Sequence, residues 1–331
     1  MKKLILGITA AAFSAVAAYA ADVKPAVIYD LGGKNDKSFN ESAYTGAERF
    51  KAETGIDYKD FEIQNDAQRE QSARRFARDG HNPIVVIGFS WAAALEKVAA
   101  EFPDTQFGIV DMVVDKPNVR SILFTEHEGS YLVGVMAAKA SKTGKVGFVG
   151  GMDIPLIRKF ACGYVQGVKS VNPDAEVFQN MTGTTGAAWN DPVKGAELAK
   201  SQFDRGADVV YHAAGGTGIG VLQAAADAGK LGIGVDSNQN GMHPGKVLTS
   251  MLKRVDNAVY NAFMDVKNGN WSTGFSVLDL KAGGVGYAMD DNNKSLVDAD
   301  MQAAVSAAEK AITSGEVKVH DYMSDSACPA S

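Results

Sequence analysis

The segment Asp36-Lys37-Ser38-Phe39-Asn40 is the part of the sequence best suited to hold a ligand. It follows an apolar run, residues 26–30, and precedes a stretch in which apolar residues recur at helical spacing. An acid, an aromatic ring and an amide at such a turn can stack on a flat polar molecule and hydrogen-bond its edge. Ser38 and Glu41 also match a capping box, which would only begin a helix. We favour a ligand, because the capping box leaves the acid, the ring and the amide without a role.

Two further motifs bear on whether the chain is an enzyme. Gly88-Phe89-Ser90-Trp91-Ala92 resembles a nucleophile elbow, but Ala92 stands where glycine is usual. The glycine-rich segment 213–220 lacks the Walker lysine and the Gly-x-Gly-x-x-Gly spacing, so it admits a ligand to backbone N–H groups or simply permits close packing. The histidines show no metal-ligand spacing. The sequence therefore predicts no catalysis, no metal and no cofactor.

Two more residues are candidates for the site. Trp189 lies just before Asp191-Pro192, which has the residue types of a helix N-cap and first turn. Its ring either packs on the core or faces Phe39 across a planar ligand. Lys253 follows an apolar run, residues 247–252, and is either a solvated charge or a ligand contact.

The N-terminus predicts export. Lys2 and Lys3 precede an apolar run that ends in Ala18-Tyr19-Ala20, so residues 1–20 are predicted to be a signal peptide cleaved after Ala20. No cysteine lies directly after this run to carry a lipid. We therefore expect a free periplasmic protein without a direct membrane anchor. Loss of the two lysines takes the formal charge from -6 to -8, which argues against nucleic acid as a partner.

The two cysteines, Cys162 and Cys328, suit an oxidising compartment. A disulfide that ties down the C-terminal tail is the favoured interpretation. A buried thiol beside a frayed tail is the alternative.

Apolar, strand-like runs alternate with alanine-rich segments of helical length along most of the chain. This pattern predicts an α/β protein with parallel sheets, and the length predicts two domains. In open parallel sheets, ligands bind beyond the carboxyl ends of the strands. The predicted strands are 26–30, 84–88, 107–111, 121–124, 146–150, 209–212, 233–236 and 247–252, and the predicted helices include 67–78, 129–140, 192–203 and 218–228.

Several segments, taken together and in order, resemble the BMP family, the basic membrane protein or PnrA-like substrate-binding proteins of ABC transporters. The segments are Asp36-Lys37-Ser38-Phe39-Asn40, Glu128-Gly129-Ser130-Tyr131-Leu132-Val133-Gly134, Gly147-Phe148-Val149-Gly150-Gly151-Met152, Asp191-Pro192-x-Lys194-Gly195, 213–220, Gly234-Val235-Asp236-Ser237 and 248–258. The resemblance implies a type I periplasmic binding protein fold, with two doubly wound parallel-sheet lobes joined by three hinge crossings. Residues 22–125 plus 251–276 would form the N-terminal lobe, and 126–250 plus 277–331 the C-terminal lobe.

The resemblance also implies a purine nucleoside as ligand and assigns roles to residues. Phe39 and Trp189 would stack on the base, and Phe89 and Trp91 would wall the cleft. Further polar contacts, with Ser38 among them, would hold the base edge and the ribose hydroxyls. The residues for the base edge are Asp36, Asn40 and Asp111, and those for the ribose are Gly216, Asp236 and Lys253.

The implied function is that of a monomeric periplasmic binding protein that closes on its ligand and delivers it to an ABC permease with its ATPase. Alternatives within the same fold are a free purine base, riboflavin or a sugar as ligand. A sensory role is a further alternative, and so is a secreted hydrolase that uses Ser90 or clustered aspartates.

Overall fold

The computed structural model describes residues 23–329. The predicted signal peptide, residues 1–20, lies outside this range. None of the helices within residues 23–329 has the length and apolar character required to cross a membrane. The described residues form twelve β-strands and nine α-helices.

The strands are short and most are buried. They are β1 (Ala26–Tyr29), β2 (Lys59–Glu62), β3 (Ile84–Val86), β4 (Phe107–Val110), β5 (Val119–Phe124), β6 (Lys145–Met152), β7 (Glu176–Gly183), β8 (Val209–Ala213), β9 (Leu231–Asp236), β10 (Val247–Lys253), β11 (Gly274–Leu278) and β12 (Val285–Tyr287). Every predicted strand is present in the structure. Short apolar runs bounded by turns are typical of buried strands.

The helices alternate with the strands. They are α1 (Phe39–Thr54), α2 (Gln68–Arg78), α3 (Ala92–Glu101), α4 (Glu126–Ala140), α5 (Pro155–Val171), α6 (Pro192–Asp204), α7 (Gly218–Asp227), α8 (Val255–Lys267) and α9 (Ala299–Ser314). The start of α6 agrees with its sequence signals, since the Asp191 side chain caps it by accepting from the Lys194 N–H.

The strands form two six-stranded sheets with the same order. The first is β11-β5-β4-β3-β1-β2 and the second is β12-β10-β9-β8-β6-β7. All pairings are parallel except β10 with β12. The two lobes therefore repeat one topology, although the sequence shows no internal repeat. The expected α/β architecture of two parallel-sheet lobes is confirmed.

Three crossings join the lobes, and all run between the sheets. The first lies between β5 and α4, the second between β10 and α8, and the third between β11 and β12. Residues 251–253 belong to β10 of the second sheet, so by strand membership the chain returns to the first lobe after Lys253, rather than at residue 251. Helix α8 then packs on α1, where the Phe50 and Phe263 rings meet edge to face at 5.3 Å.

The C-terminal tail is fastened to α5 in the second lobe. A disulfide joins Cys162 to Cys328, with their Cα atoms 5.6 Å apart. The Gln166 side chain bonds both the N–H and the C=O of His320. The tail is thus held at two places along one helix.

Candidate ligand-binding cleft

A cleft lies where the carboxyl ends of the strands of the two sheets face each other. It encloses about 590 Å³ of non-atom space, its open mouth included. Both lobes contribute to its walls. The lining residues are Asp30, Leu31, Asp36, Phe39, Asn40, Gly88, Phe89, Asp111, Leu156, Ile157, Phe160, Trp189, Ala213, Ala214, Gly215, Val235, Asp236 and Lys253.

The turn between β1 and α1 is built around Asp36. Its carboxylate accepts from the N–H groups of Ser38, Asn40 and Glu41 at 2.8, 2.9 and 3.1 Å, and so caps α1. The capping box between Ser38 and Glu41 is not formed. The reason is that Asp36 already satisfies the first N–H groups of the helix, and Glu41 accepts from the Lys37 N–H instead.

Asn40 holds the same turn in place. Its side-chain oxygen accepts from the Asp30 N–H at 3.0 Å, and its amide nitrogen donates to the C=O groups of Asp30 and Gly33. The amide thus makes three backbone contacts, and it fixes the loop that carries Phe39.

Asp30 lies at the strand end where ligands are expected and lines the cleft, although it was not among the predicted ligand contacts. The Arg69 guanidinium lies 2.7 Å from its carboxylate in a buried ion pair. A Cβ atom at Gly88, which has a φ of 111°, would lie only 2.3 Å from the same carboxylate. The floor of the cleft therefore requires glycine at residue 88.

Phe39 and Phe89 from the first lobe and Trp189 from the second provide aromatic walls. The Trp189 ring packs directly over Gly151, where a Cβ atom would lie 2.2 Å from the ring. Trp91 does not line the cleft. It is fully buried in the core of the first lobe, with the Arg69 guanidinium 5.3 Å from its ring, so the expectation that it walls the cleft is wrong. Residues 89–91 form a 3-10 helix that turns the two aromatic side chains to different sides.

A buried charge cluster lies at the hinge end of the cleft. The Lys253 Nζ atom is 2.7 Å from the Asp111 carboxylate and 2.9 Å from Glu126 Oε1. Burial opposes the charge on Lys253, but Asp111 and Glu126 outweigh it and raise the pKa of the lysine. Burial raises the pKa of Asp111 to about 6 while Lys253 opposes that rise, so the pair is ionised at neutral pH. Lys253 is therefore not a solvated surface charge.

Asp236 lies nearby at the end of β9. Burial raises its pKa to about 6, with Lys253 and the Ser38 hydroxyl opposing the rise. Asp111 and Asp236 both have left-handed backbone conformations, with φ of 73° and 63°. Such backbone is uncommon for residues other than glycine and is concentrated at functional sites.

Hydrogen bonds between residues of opposite lobes also join the two lobes beside the cleft. The Ser38 hydroxyl donates to Asp236, the Ser237 hydroxyl donates to the Ser38 C=O at 2.8 Å, and the Gln239 amide donates to the Lys37 C=O at 2.9 Å. The lobes are therefore in direct contact on either side of the cleft, in a closed arrangement.

Most of the predicted site residues meet in this cleft. Ser38 is not among the lining residues, but its hydroxyl donates to Asp236, which is. Gly216 is not among the lining residues, but its neighbour Gly215 is. Sequence reasoning missed Leu156, Ile157 and Phe160, which project from α5. They follow the segment 147–152, which carries part of the family resemblance, but apolar residues in a helix carry no signal that separates a cleft wall from a core.

The serine of the elbow-like motif and three of the histidines can be placed in the structure. Ser90 lies in the 3-10 helix, and three histidines bond elsewhere: His81 to the Lys24 C=O, His212 to Gln239 and His320 to Asp325. Within residues 23–329, no group of three or more His, Cys, Asp or Glu side chains is placed to hold a metal ion.

Two similar α/β lobes, three crossings and an aromatic and acidic cleft between strand ends define a substrate-binding protein of the periplasmic binding protein class. The family model for the ABC transporter substrate-binding protein PnrA-like, or Bmp, matches residues 23–322. The chain belongs to this family.

Known proteins agree with that assignment. The chain is 33% identical to the ABC transporter nucleoside-binding protein BmpA of Lactococcus lactis, covering 95% of this chain and 99% of the relative. It is 36% identical to a CD4+ T-cell-stimulating antigen of Listeria monocytogenes, covering 90% and 88%. A solved solute-binding protein of an ABC transporter system from Aeropyrum pernix superposes with a TM-score of 0.82 at 32% identity, covering 89% and 92%.

Proposed function

We propose that this protein captures a purine nucleoside in the cleft by hinge closure and delivers it to the permease of an ABC importer. The observation that carries the proposal is the pair of aromatic side chains, Phe39 and Trp189, which come from opposite lobes to one cleft. Two such rings can hold a planar base between them. The relative from Lactococcus lactis named as nucleoside-binding supports the same ligand class.

Polar groups at the hinge end suit the sugar of a nucleoside. Asp236 and Lys253 are buried charged groups that line the cleft within one cluster, and ribose hydroxyls can donate to the acid and accept from the ammonium. Asp111 forms an ion pair with Lys253, and its carboxylate can also accept a hydrogen bond from the ligand. A ligand in this position contacts both lobes, so it binds the closed form more tightly and shifts the equilibrium towards it.

The rest of the proposal concerns the cell. After cleavage behind Ala20, the mature monomer acts in the periplasm, without a membrane anchor, and breaks no bond in its ligand. The permease recognises the closed form, and the ATPase of the transporter drives release of the ligand.

The test is a thermal-shift screen of refolded mature protein, followed by calorimetry. The ligands are adenosine, guanosine, inosine, uridine, adenine, riboflavin and ribose. A ligand that binds only the folded state raises the melting temperature. We expect large shifts with purine nucleosides and none with ribose. Shifts with riboflavin or a sugar alone would overturn the ligand, and conversion of inosine to products would overturn the non-enzymatic role.

A pair of tryptophan variants tests the stacking. Trp189→Ala removes a cleft wall, whereas Trp271→Ala removes a ring that stacks under the Arg120 guanidinium at 4.1 Å. We expect only the first variant to lose affinity for inosine, by roughly tenfold or more. Equal losses in both would show that the effect is a general one on the fold.

A further inference from the structure

Glu126 is a buried acid that no cleft contact explains. It is the first residue of α4, directly after the first crossing, and it is 1% exposed. It does not line the cleft. Its carboxylate lies between two ammonium groups, with Oε1 2.9 Å from Lys253 Nζ and Oε2 2.9 Å from Lys159 Nζ.

The contact with Lys253 joins two of the three crossings. Glu126 follows β5 at the first crossing, and Lys253 ends β10 at the second. Lys253 in turn reaches Asp111, which follows β4 of the first lobe. A single ammonium is thus held between an acid of the hinge and an acid of the cleft.

The surroundings of Lys253 give its ammonium few other places to lie. The rings of Phe39, Phe124 and Phe160 have their centroids 5.0, 5.1 and 5.6 Å from Nζ. These rings exclude water and favour the cation through their faces. The direction of the ammonium is therefore decided by its two carboxylate partners.

Lys159 fixes Glu126 from the other side. Its ammonium donates to the Phe124 C=O at 2.8 Å and lies 3.5 Å from the Asp321 carboxylate of the C-terminal tail. Burial alone would raise the pKa of Glu126, but Lys253 and Lys159 lower it to about 2. Glu126 is therefore an anion with no freedom to turn away from Lys253.

We propose that Glu126 is a positioning residue for ligand binding: it holds the Lys253 ammonium at the hinge end of the cleft, so affinity for the ligand depends on Glu126 through Lys253. This inference rests on the proposed nucleoside function. It adds a residue outside the cleft to those that determine affinity, and it assigns the hinge a part in recognition as well as in motion.

A double-mutant cycle tests the dependence. The variants are Glu126→Gln, Lys253→Met and both together, with inosine affinity measured by calorimetry. We expect Glu126→Gln to weaken binding roughly tenfold in the otherwise unchanged protein and by less than about twofold when Lys253 is already Met. Equal losses in both backgrounds would show a general structural effect and overturn the proposal, as would no loss in either.

Glu128→Gln is the matched control. Glu128 lies two residues further along α4 and also serves the hinge, since its carboxylate accepts from the Thr125 hydroxyl at 2.6 Å and the Leu280 N–H at 3.0 Å. It thus ties the first crossing to the third. We expect Glu128→Gln to leave inosine affinity within about twofold. A loss equal to that of Glu126→Gln would assign the effect to the hinge in general.

A measurement without ligand separates this proposal from the function it rests on. The ¹H–¹⁵N signal of the Lys253 ammonium is assigned by its absence in Lys253→Met. We expect Glu126→Gln to shift or broaden that signal, Glu128→Gln to leave it unchanged, and Glu126→Asp, which keeps the charge, to restore part of it. If the unchanged protein binds no nucleoside, the proposed function fails while this signal still decides the role of Glu126. If Glu126→Gln does not fold, Glu126→Ala supplies the same comparison, and a signal identical to that of the unchanged protein in either variant would overturn the proposal.

Discussion

Asp111 and Asp236 occupy the same place in the two lobes. Each comes at the end of the third strand in its sheet order, β4 or β9, with left-handed backbone and a buried side chain. Their partners differ. Asp111 meets the Lys253 ammonium at 2.7 Å, whereas Asp236 accepts from the Ser38 hydroxyl of the opposite lobe. One topological position therefore meets an ammonium group from the opposite lobe in one case and a hydroxyl group from the opposite lobe in the other.

We interpret this difference as a division of roles, in which Asp111 stabilises the fold and Asp236 takes part in the proposed ligand binding. Asp111 balances a buried cation, so the empty protein needs it. Asp236 has no cation in direct contact. The burial of its carboxylate in the cleft is unfavourable until a ligand supplies hydrogen-bond donors. Four changes break or sharpen this contrast.

The largest expected effect is on the hinge acid. Asp111→Asn leaves Lys253 with Glu126 as its one close acid, and breaking a buried ion pair costs roughly 3 kcal/mol or more. We expect the free energy of unfolding at pH 7.5 to fall by about that amount in urea titrations of the empty protein. Asp57→Asn, at a surface pair with Lys51, is the control and should change nothing measurable. Equal stability of Asp111→Asn and the unchanged protein would contradict the role given to Asp111.

Asp236 should behave in the opposite way. Asp236→Ala removes the acceptor for ligand hydroxyls, and we expect inosine affinity to fall about a hundredfold, since hydrogen bonds to charged groups contribute roughly 1.5–3 kcal/mol each. The urea midpoint of the empty protein should not fall. Calorimetry and unfolding on the same sample check both. Affinity that stays the same would remove Asp236 from the site.

The pH dependence of stability should reveal the same acid. The pKa of Asp236 rises from 3.8 to about 6 on folding, so the folded state favours its protonated form. Its contribution to stability is present below about pH 4 and is lost as the pH rises through 6. We expect Asp236→Asn to match the unchanged protein near pH 4 and to exceed it by roughly 2 kcal/mol at pH 7.5. A constant difference across that range would contradict the raised pKa.

The smallest expected effect is at Ser237. Ser237→Ala removes one hydrogen bond between the lobes, at 2.8 Å to the Ser38 C=O, and we expect inosine affinity to fall about threefold. Small-angle scattering of the empty protein should show a more open average form. Ser306→Ala on α9, where the hydroxyl accepts from Gln302, is the control. No change in either property would show that this contact does not stabilise closure.

The sequence alone predicted the alternation of strands and helices and most of the residues at strand ends. The apolar runs were long enough to identify β1, β8 and β10, and Asp191-Pro192 located the start of α6. Edge strands were missed where polar residues interrupt the apolar pattern. In β2 the sequence Lys-Asp-Phe-Glu pairs with β1 at the sheet edge, and β7 has Gln and Asn at its centre.

The place of the cleft was also predictable, because in parallel sheets the strand ends converge whatever the detailed packing. What each side chain does there was decided by tertiary structure. Asp36 caps a helix and Asn40 clamps a loop, since buried backbone groups nearby needed partners. Trp91 turned to the core because a 3-10 helix rotates it away from Phe89.

The sequence predicted that Asp111 and Lys253 belong to one site, but not that they form an ion pair with each other. Lys253 lies 142 residues from Asp111, and neither residue carries a local signal that names its partner. Sequence periodicity reports which face of an element is buried, since it depends on neighbours one turn or one pleat away. Which buried charges meet depends on how two lobes and three crossings pack, and that is a property of the tertiary structure.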